Sequence, residues 1–486
     1  MTTFSSFAVK ALPALALLAV AGCQADIDAP NSSPGSANFA RYIAVGNSLT
    51  AGYEDNGLYL EGQQNSYPSM LARQFAQAGG GAFTQPLFTS DQANGSGYLR
   101  LAGFTAAGTP ITTTVATNLA VRATSPQVLF TKYTDPINNL GVPGIKLADI
   151  QTVGYGSTQG NPYFERITST ATQTYFQRVK AEVAGSANVP AVTFFSCWLG
   201  NNDVLGYATA GGAVASSGIT RTDTFALKAT RIINALTAGG AKGIVSNIPD
   251  VTGIPFFTTV GASARAQLAA ANVPTAAPLV YTTGILAPGQ ANTRVTSTLG
   301  NIRSAGGSEP LLLTLTAAPY VGLYGQPTGK YWRDFYAQAK PGLPAAIPNL
   351  SVFLLTLGVD TTKAFGASTG NPFPSTLVFD ATEQANVAAA TTAFNNSLQA
   401  AATAKGLAFF DANTYFRGIA ASPTVVNAVN NSASFITGNL FSLDGVHPTP
   451  RGYALVANEM IKAINSQYGS SIQPVNPTSY RGVRFP

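Results

Sequence analysis

Tyr42-Ile43-Ala44-Val45-Gly46-Asn47-Ser48-Leu49 joins a short apolar run to an abrupt Gly-Asn-Ser turn. The run is too short for a helix, and its β-branched residues favour a buried strand closed by glycine. Three later runs share the form: Ile137–Leu140 before Gly141, Val192–Leu199 before Gly200, and Gly243–Ile248 before Pro249. A fourth, Leu407–Phe410, follows Gly406. Between them lie helical patterns. Met70, Leu71 and Phe75 follow Pro68; Phe225, Ala229, Ile232, Ile233 and Leu236 precede Gly239; Val387, Phe394, Leu398 and Ala401 share a face. Thr449 and Pro450 open a last helix with Tyr453, Val456, Ala457, Met460 and Ile464 inward. Such alternation predicts a parallel sheet covered on both faces, with ligands at the carboxyl ends of its strands. Two stretches break it and read as insertions: about 79–130, rich in Gly and Thr, and about 253–380, rich in Ala, Thr and Pro.

The composition narrows the class. The 486 residues are 45% hydrophobic with 27 Phe and 19 Tyr, enough for a sizeable core, and only 10% charged, which excludes a disordered, solvating chain. The net charge of +6 is spread without basic runs, so no nucleic-acid partner is expected.

Residues 1–22 read as an export signal. Lys10 supplies the positive start, and the apolar stretch Ala11–Ala21 is too short to span a bilayer. The ending Leu18-Ala19-Val20-Ala21-Gly22-Cys23 resembles the bacterial lipobox, which makes Cys23 the expected lipidation site. Residues 23–38 then read as a flexible tether, and 471–486 as a C-terminal tail. A lipidated Cys23 leaves Cys197 without a disulfide partner, and its apolar setting suits a buried small hydrophobe better than a nucleophile.

Four short motifs stand where strands end. In Gly46-Asn47-Ser48-Leu49 the serine can project into a crevice. Gly144 sits in a loop able to present a backbone N–H. Gly200-Asn201-Asn202-Asp203 offers an Asn amide to a developing oxyanion. Asp444-Gly445-Val446-His447 carries the chain's single histidine. If a serine here is activated by imidazole, the base is His447, and Asp444, three residues earlier, can fix its tautomer. Thr50 stands where G-x-S-x-G needs its second glycine, which counts against an α/β-hydrolase elbow. HExxH, paired CxxC and P-loop motifs are missing from the sequence, so no metal or other cofactor is expected.

In order, these motifs resemble the blocks of the SGNH, or GDSL-type, hydrolases. Gly46–Tyr53 is similar to the nucleophile block, Asn139–Gly144 to the second, Gly200–Asp203 to G-x-N-D, and Asp444–Pro448 to D-x-x-H-P. Asn47 departs from the family's usual Asp. The resemblance implies a flavodoxin-like three-layer α/β sandwich over residues 39–470 carrying both insertions. It implies a Ser48–His447–Asp444 triad, with an oxyanion hole from the N–H groups of Ser48 and Gly144 and the Asn202 side chain. The implied activity is hydrolysis of carboxylic esters through an acyl-enzyme. The implied place is the bacterial cell envelope, anchored to a membrane, the outer membrane first, through Cys23, or export. Small-molecule, lipid and carbohydrate esters all remain open as substrates. Two rivals stand beside it: a catalytically inactive scaffold that binds glycan or lipid, and an adhesion lipoprotein whose 253–380 segment is the working part.

Overall fold

The computed structural model describes residues 32–105, 110–289 and 292–486. The expected signal peptide, Cys23 and the tether up to Asn31 lie outside these residues. The described chain from Ser32 onward belongs to one compact unit.

The short apolar runs are the strands of one sheet: β1 (Tyr42–Gly46), β2 (Asn139–Gly141), β3 (Phe194–Trp198), β4 (Lys242–Ser246) and β5 (Ala408–Phe410). All neighbours pair parallel in the order 2-1-3-4-5. That order is compatible with a flavodoxin-like sandwich, whose binding crevice lies at the carboxyl ends where the winding reverses, here between β1 and β3.

Residues two apart along a strand share a face, and the faces are filled separately. Ile43, Val45, Phe195, Cys197 and Val245 pack with helices 175–184, 222–237 and 381–403. Tyr42, Ala44, Phe194, Trp198 and Ile244 pack with helix 67–76 and the last helix, Pro450–Tyr468. Helices thus flank both sides of the sheet. On helix 381–403 the innermost residue near the end is Ala402 rather than the expected Ala401, which stays half-buried. Four residues after Leu398 return more closely to its face than three do. Cys197 is buried among apolar side chains, and burial pushes its thiol up to about 12.

The segment 253–380 has a hydrophobic cluster of its own around the fully buried Trp332, whose indole N–H donates to Asn371 Oδ1 at 2.8 Å. It holds helix Pro255–Ala270 and an antiparallel pair, Pro278–Thr283 with Thr293–Thr298. The segment 79–130 forms two small hairpins, 98–104 with 110–115 and 121–123 with 129–130. Both ends of the described chain are docked. Ser36 N–H donates to Tyr468 O and Ser471 N–H to Ser33 O, and Ile472 and Val475 are buried in the cluster that holds the last helix. No described helix is long and apolar enough to cross a membrane.

Candidate active site

Strand β1 ends at Gly46 and turns directly into a one-turn helix, Ser48–Ala51, labelled α1. Asn47 caps it, its Oδ1 accepting from Leu49 N–H at 3.0 Å. Ser48 is therefore the first helical residue beyond the strand. Close approach of β2 fixes this corner: a Cβ on Gly141 would lie 2.3 Å from the Ala51 nitrogen, so no side chain fits there. Tyr175 ties the two strand ends together, accepting from Gly46 N–H and donating to Leu140 O.

The loop before the last helix brings the other two groups. Ser48 Oγ lies 2.9 Å from His447 Nε2, and His447 Nδ1 lies 2.9 Å from Asp444 Oδ2. Asp444 Oδ1 accepts from the backbone N–H groups of Val446 and His447, both at 2.8 Å. Burial alone would push this carboxyl up. The neighbouring imidazole and these hydrogen bonds outweigh it and hold the group down at about 2. An ionised Asp444 accepts a hydrogen bond from Nδ1–H, and that tautomer leaves Nε2 as acceptor for the serine hydroxyl. The Tyr53 ring packs against the imidazole, centroid to centroid 4.7 Å.

Of the expected donors, Asn202 lines the same cleft as Ser48 and His447. Asn202 opens helix Asn202–Thr209, labelled α2, just past β3, and its Nδ2 donates one hydrogen to Ile145 O at 2.9 Å. An amide nitrogen has two hydrogens, so one is left to offer. Gly144 sits beside Ile145 at φ +82° in an exposed turn, and its N–H donates to no atom of the described residues. The turn is held from three sides. Asn202 binds Ile145; Asp203 accepts from Leu147 N–H at 2.6 Å and Ala148 N–H at 3.2 Å; Asn161 Nδ2 donates to Pro143 O at 2.8 Å. Burial raises the Asp203 carboxyl to about 6 against the pull of these bonds.

Ser48 and His447 open into a small cleft of about 50 Å³. Leu49, Leu205, Pro249, Val251, Ile254 and Val446 make its walls apolar, with Asn201 and Asn202 on the side of α2. Ile254 lies at the start of the 253–380 segment, and that segment also reaches the loop that carries His447, where Phe256 N–H donates to Gly445 O. Among the described residues no group of three or more His, Cys, Asp or Glu side chains is placed to hold a metal ion.

The sequence reading did not single out Tyr175, Asn161, or the turn Asp55–Asn56, whose Asn56 N–H donates to Asp444 Oδ2 at 2.9 Å. Asn161 precedes a proline and reads as a helix cap, which it also is. Its second task, like the contact from Asn56, leaves no pattern in the sequence. No protein-family model matches this chain, and no curated protein matches it.

Proposed function

We propose that the protein is a serine hydrolase of carboxylic esters of the SGNH type, with Ser48 as nucleophile, His447 as base and Asp444 as the group that orients it. The observation that carries this reading is the unbroken run Asp444 Oδ2, His447 ring, Ser48 Oγ, with both gaps 2.9 Å, at the mouth of an apolar cleft. A structural histidine needs a partner for its ring; it does not need a serine hydroxyl presented on the first residue of a helix at the carboxyl edge of a sheet.

The chemistry follows from the geometry. Ser48 Oγ attacks the ester carbonyl carbon and its proton passes to His447 Nε2. The carbonyl electrons move to oxygen, and the N–H groups of Ser48 and Gly144 together with Asn202 Nδ2 stabilise the anion. The tetrahedral species collapses, the C–O bond to the alcohol breaks, and the leaving oxygen takes the proton from Nε2. Water attacks the acyl-enzyme with His447 again as base, and Ser48 is restored.

The reading includes lipidation at Cys23 and residence at a membrane of the cell envelope. A Cys23→Ala chain that still partitions with membranes refutes the anchor. The activity is tested with a fluorophosphonate and peptide mass spectrometry. Labelling of Ser48 that is lost in His447→Ala supports the hydrolase. A folded protein that takes no label is the inactive, ligand-binding scaffold instead.

A further inference from the structure

Asp444 Oδ2 receives two donors: the imidazole Nδ1–H and the backbone N–H of Asn56, at 2.9 Å each. The backbone N–H groups of Val446 and His447 hold the other oxygen, Oδ1, so the Asn56 bond is the one that fixes Oδ2 from a segment outside the loop. To aim that N–H, the turn Glu54–Gly57 places two consecutive non-glycine residues in the left-handed region, Asp55 at φ 51° and Asn56 at φ 60°. Asp and Asn reach that conformation more readily than other side chains, and here further bonds hold the pair in it.

The side chain of Asp55 does so. Its Oδ1 accepts from Leu443 N–H at 2.9 Å, and its own N–H donates to Ser442 Oγ at 2.9 Å. Ser442 Oγ in turn donates a hydrogen bond to Asp444 Oδ1 at 3.1 Å. Residues 55 and 56 are thus laced to residues 442, 443 and 444 by three bonds, and the Ser442 hydroxyl adds a fourth within the loop itself.

A second layer braces the turn from behind. Tyr59 Oη lies 2.7 Å from Glu54 Oε1 and 3.1 Å from Asp55 Oδ2, its single proton shared between them. Arg481 Nη2 donates to Glu54 Oε1 at 2.9 Å and to Tyr59 Oη at 3.0 Å, while its Nε reaches Glu61 at 2.8 Å. Glu54 is fully buried and Asp55 nearly so. Two buried carboxyl groups beside a third, Asp444, need a compensating cation, and Arg481 supplies it from the last residues of the chain.

We infer that Asp55 is a positioning residue for the proposed reaction: through the turn it shapes, braced by Arg481, it fixes the carboxylate of Asp444 and so the tautomer and orientation of His447. The inference rests on the hydrolase reading above. Asp55 bonds to neither Ser48 nor the imidazole, and its effect passes through Asn56, Ser442 and Leu443.

The test uses the full chain, a p-nitrophenyl ester, and the variants Asp55→Ala, Asp55→Asn and Ser442→Ala, each also followed by thermal melting. Asp55→Ala loses the bond to Leu443 and should lower kcat about ten- to a hundredfold with little change in KM. Asp55→Asn keeps an oxygen for Leu443 N–H and should restore most of that loss. Ser442→Ala removes a single hydroxyl and should lower kcat in the same direction; it carries the test if Asp55→Ala does not fold. Folded Asp55→Ala and Ser442→Ala proteins that turn over like wild type, or change only KM, overturn the positioning role while the hydrolase reading stands. A wild-type protein that neither hydrolyses esters nor labels at Ser48 overturns the hydrolase reading, and the role of Asp55 with it.

Discussion

Ser48 and His447 stand 399 residues apart in the chain and 2.9 Å apart in space. Parallel winding makes this possible: every strand ends on the same edge of the sheet, and the loop before the last helix returns to that edge. His447 is the one histidine in the sequence, so no neighbour can take over its proton. In the proposed mechanism His447→Ala should lower kcat for ester hydrolysis by about 10⁶-fold, the scale found when the base of a triad is removed. Steady-state kinetics on an activated ester measure it.

Asp444 links the site to acid stability. Its carboxyl is held at about 2 in the folded protein, below the ~3.9 of an unfolded chain. The lowered value means that folding is favoured by the ionised form. The contribution is complete above about pH 4 and disappears as pH falls through 2, amounting to about 2 kcal/mol at most. Urea unfolding of wild type and Asp444→Asn from pH 5 to pH 2 should show the difference between them shrinking over that window. Asp444→Asn should also lower kcat about 10⁴-fold, because an amide no longer fixes the imidazole tautomer.

Asn202 is asked to supply one hydrogen to the oxyanion while the other holds Ile145 O. Asn202→Ala should cost about 2.7–4 kcal/mol of transition-state stabilisation, seen in kcat rather than KM. A variant with near-normal turnover would remove Asn202 from the oxyanion hole.

Gly144 has room for a side chain, since an added Cβ would meet only Asn161 Nδ2 at 3.5 Å. The obstacle is the backbone at φ +82°. Gly144→Ala should therefore cost about 1–2 kcal/mol, through strain or through a turn that rotates its N–H away. A loss of kcat beyond the loss in melting stability would mark the second route.

Ile254 lines the cleft beside Ser48 and is nearly buried. Ile254→Trp fills apolar space without touching the polar groups. Hydrolysis of long-chain acyl esters should fall while that of acetyl esters is retained, as read from kcat/KM across a series of p-nitrophenyl esters. Equal loss on every chain length would mean that the cleft does not hold the acyl group.

The central sheet was legible because each of its strands is a short apolar run marked off by Gly or Pro, and the helices between carry their apolar residues at helical spacing. The meeting of Ser48, His447 and Asp444 was legible for a different reason: one histidine leaves one arrangement to consider. The rest hides for physical causes. The hairpin at 98–104 buries only Leu101, so no alternation of apolar and polar residues announces it. Helix Pro255–Ala270 packs partly through small residues, with Gly261 set so close to Arg303 O that a Cβ would lie 2.5 Å from it, and alanines and glycine show no stripe. The Asn56 contact to Asp444 is made by a backbone group, which every residue but proline possesses and which no sequence pattern can distinguish.

The docking of the terminal residues has a consequence for how the protein comes into being. Under the proposed chemistry the nucleophile is made early, at residue 48, while the acid, the base and the arginine that braces them follow only at residues 444, 447 and 481. A polypeptide leaving the ribosome, or threading across a membrane from its N-terminus, therefore carries an inert serine for almost its entire passage. Reactivity in this reading begins only when residues 444–481 close over the turn at residue 48, so a copy that stops before them carries a serine without its base.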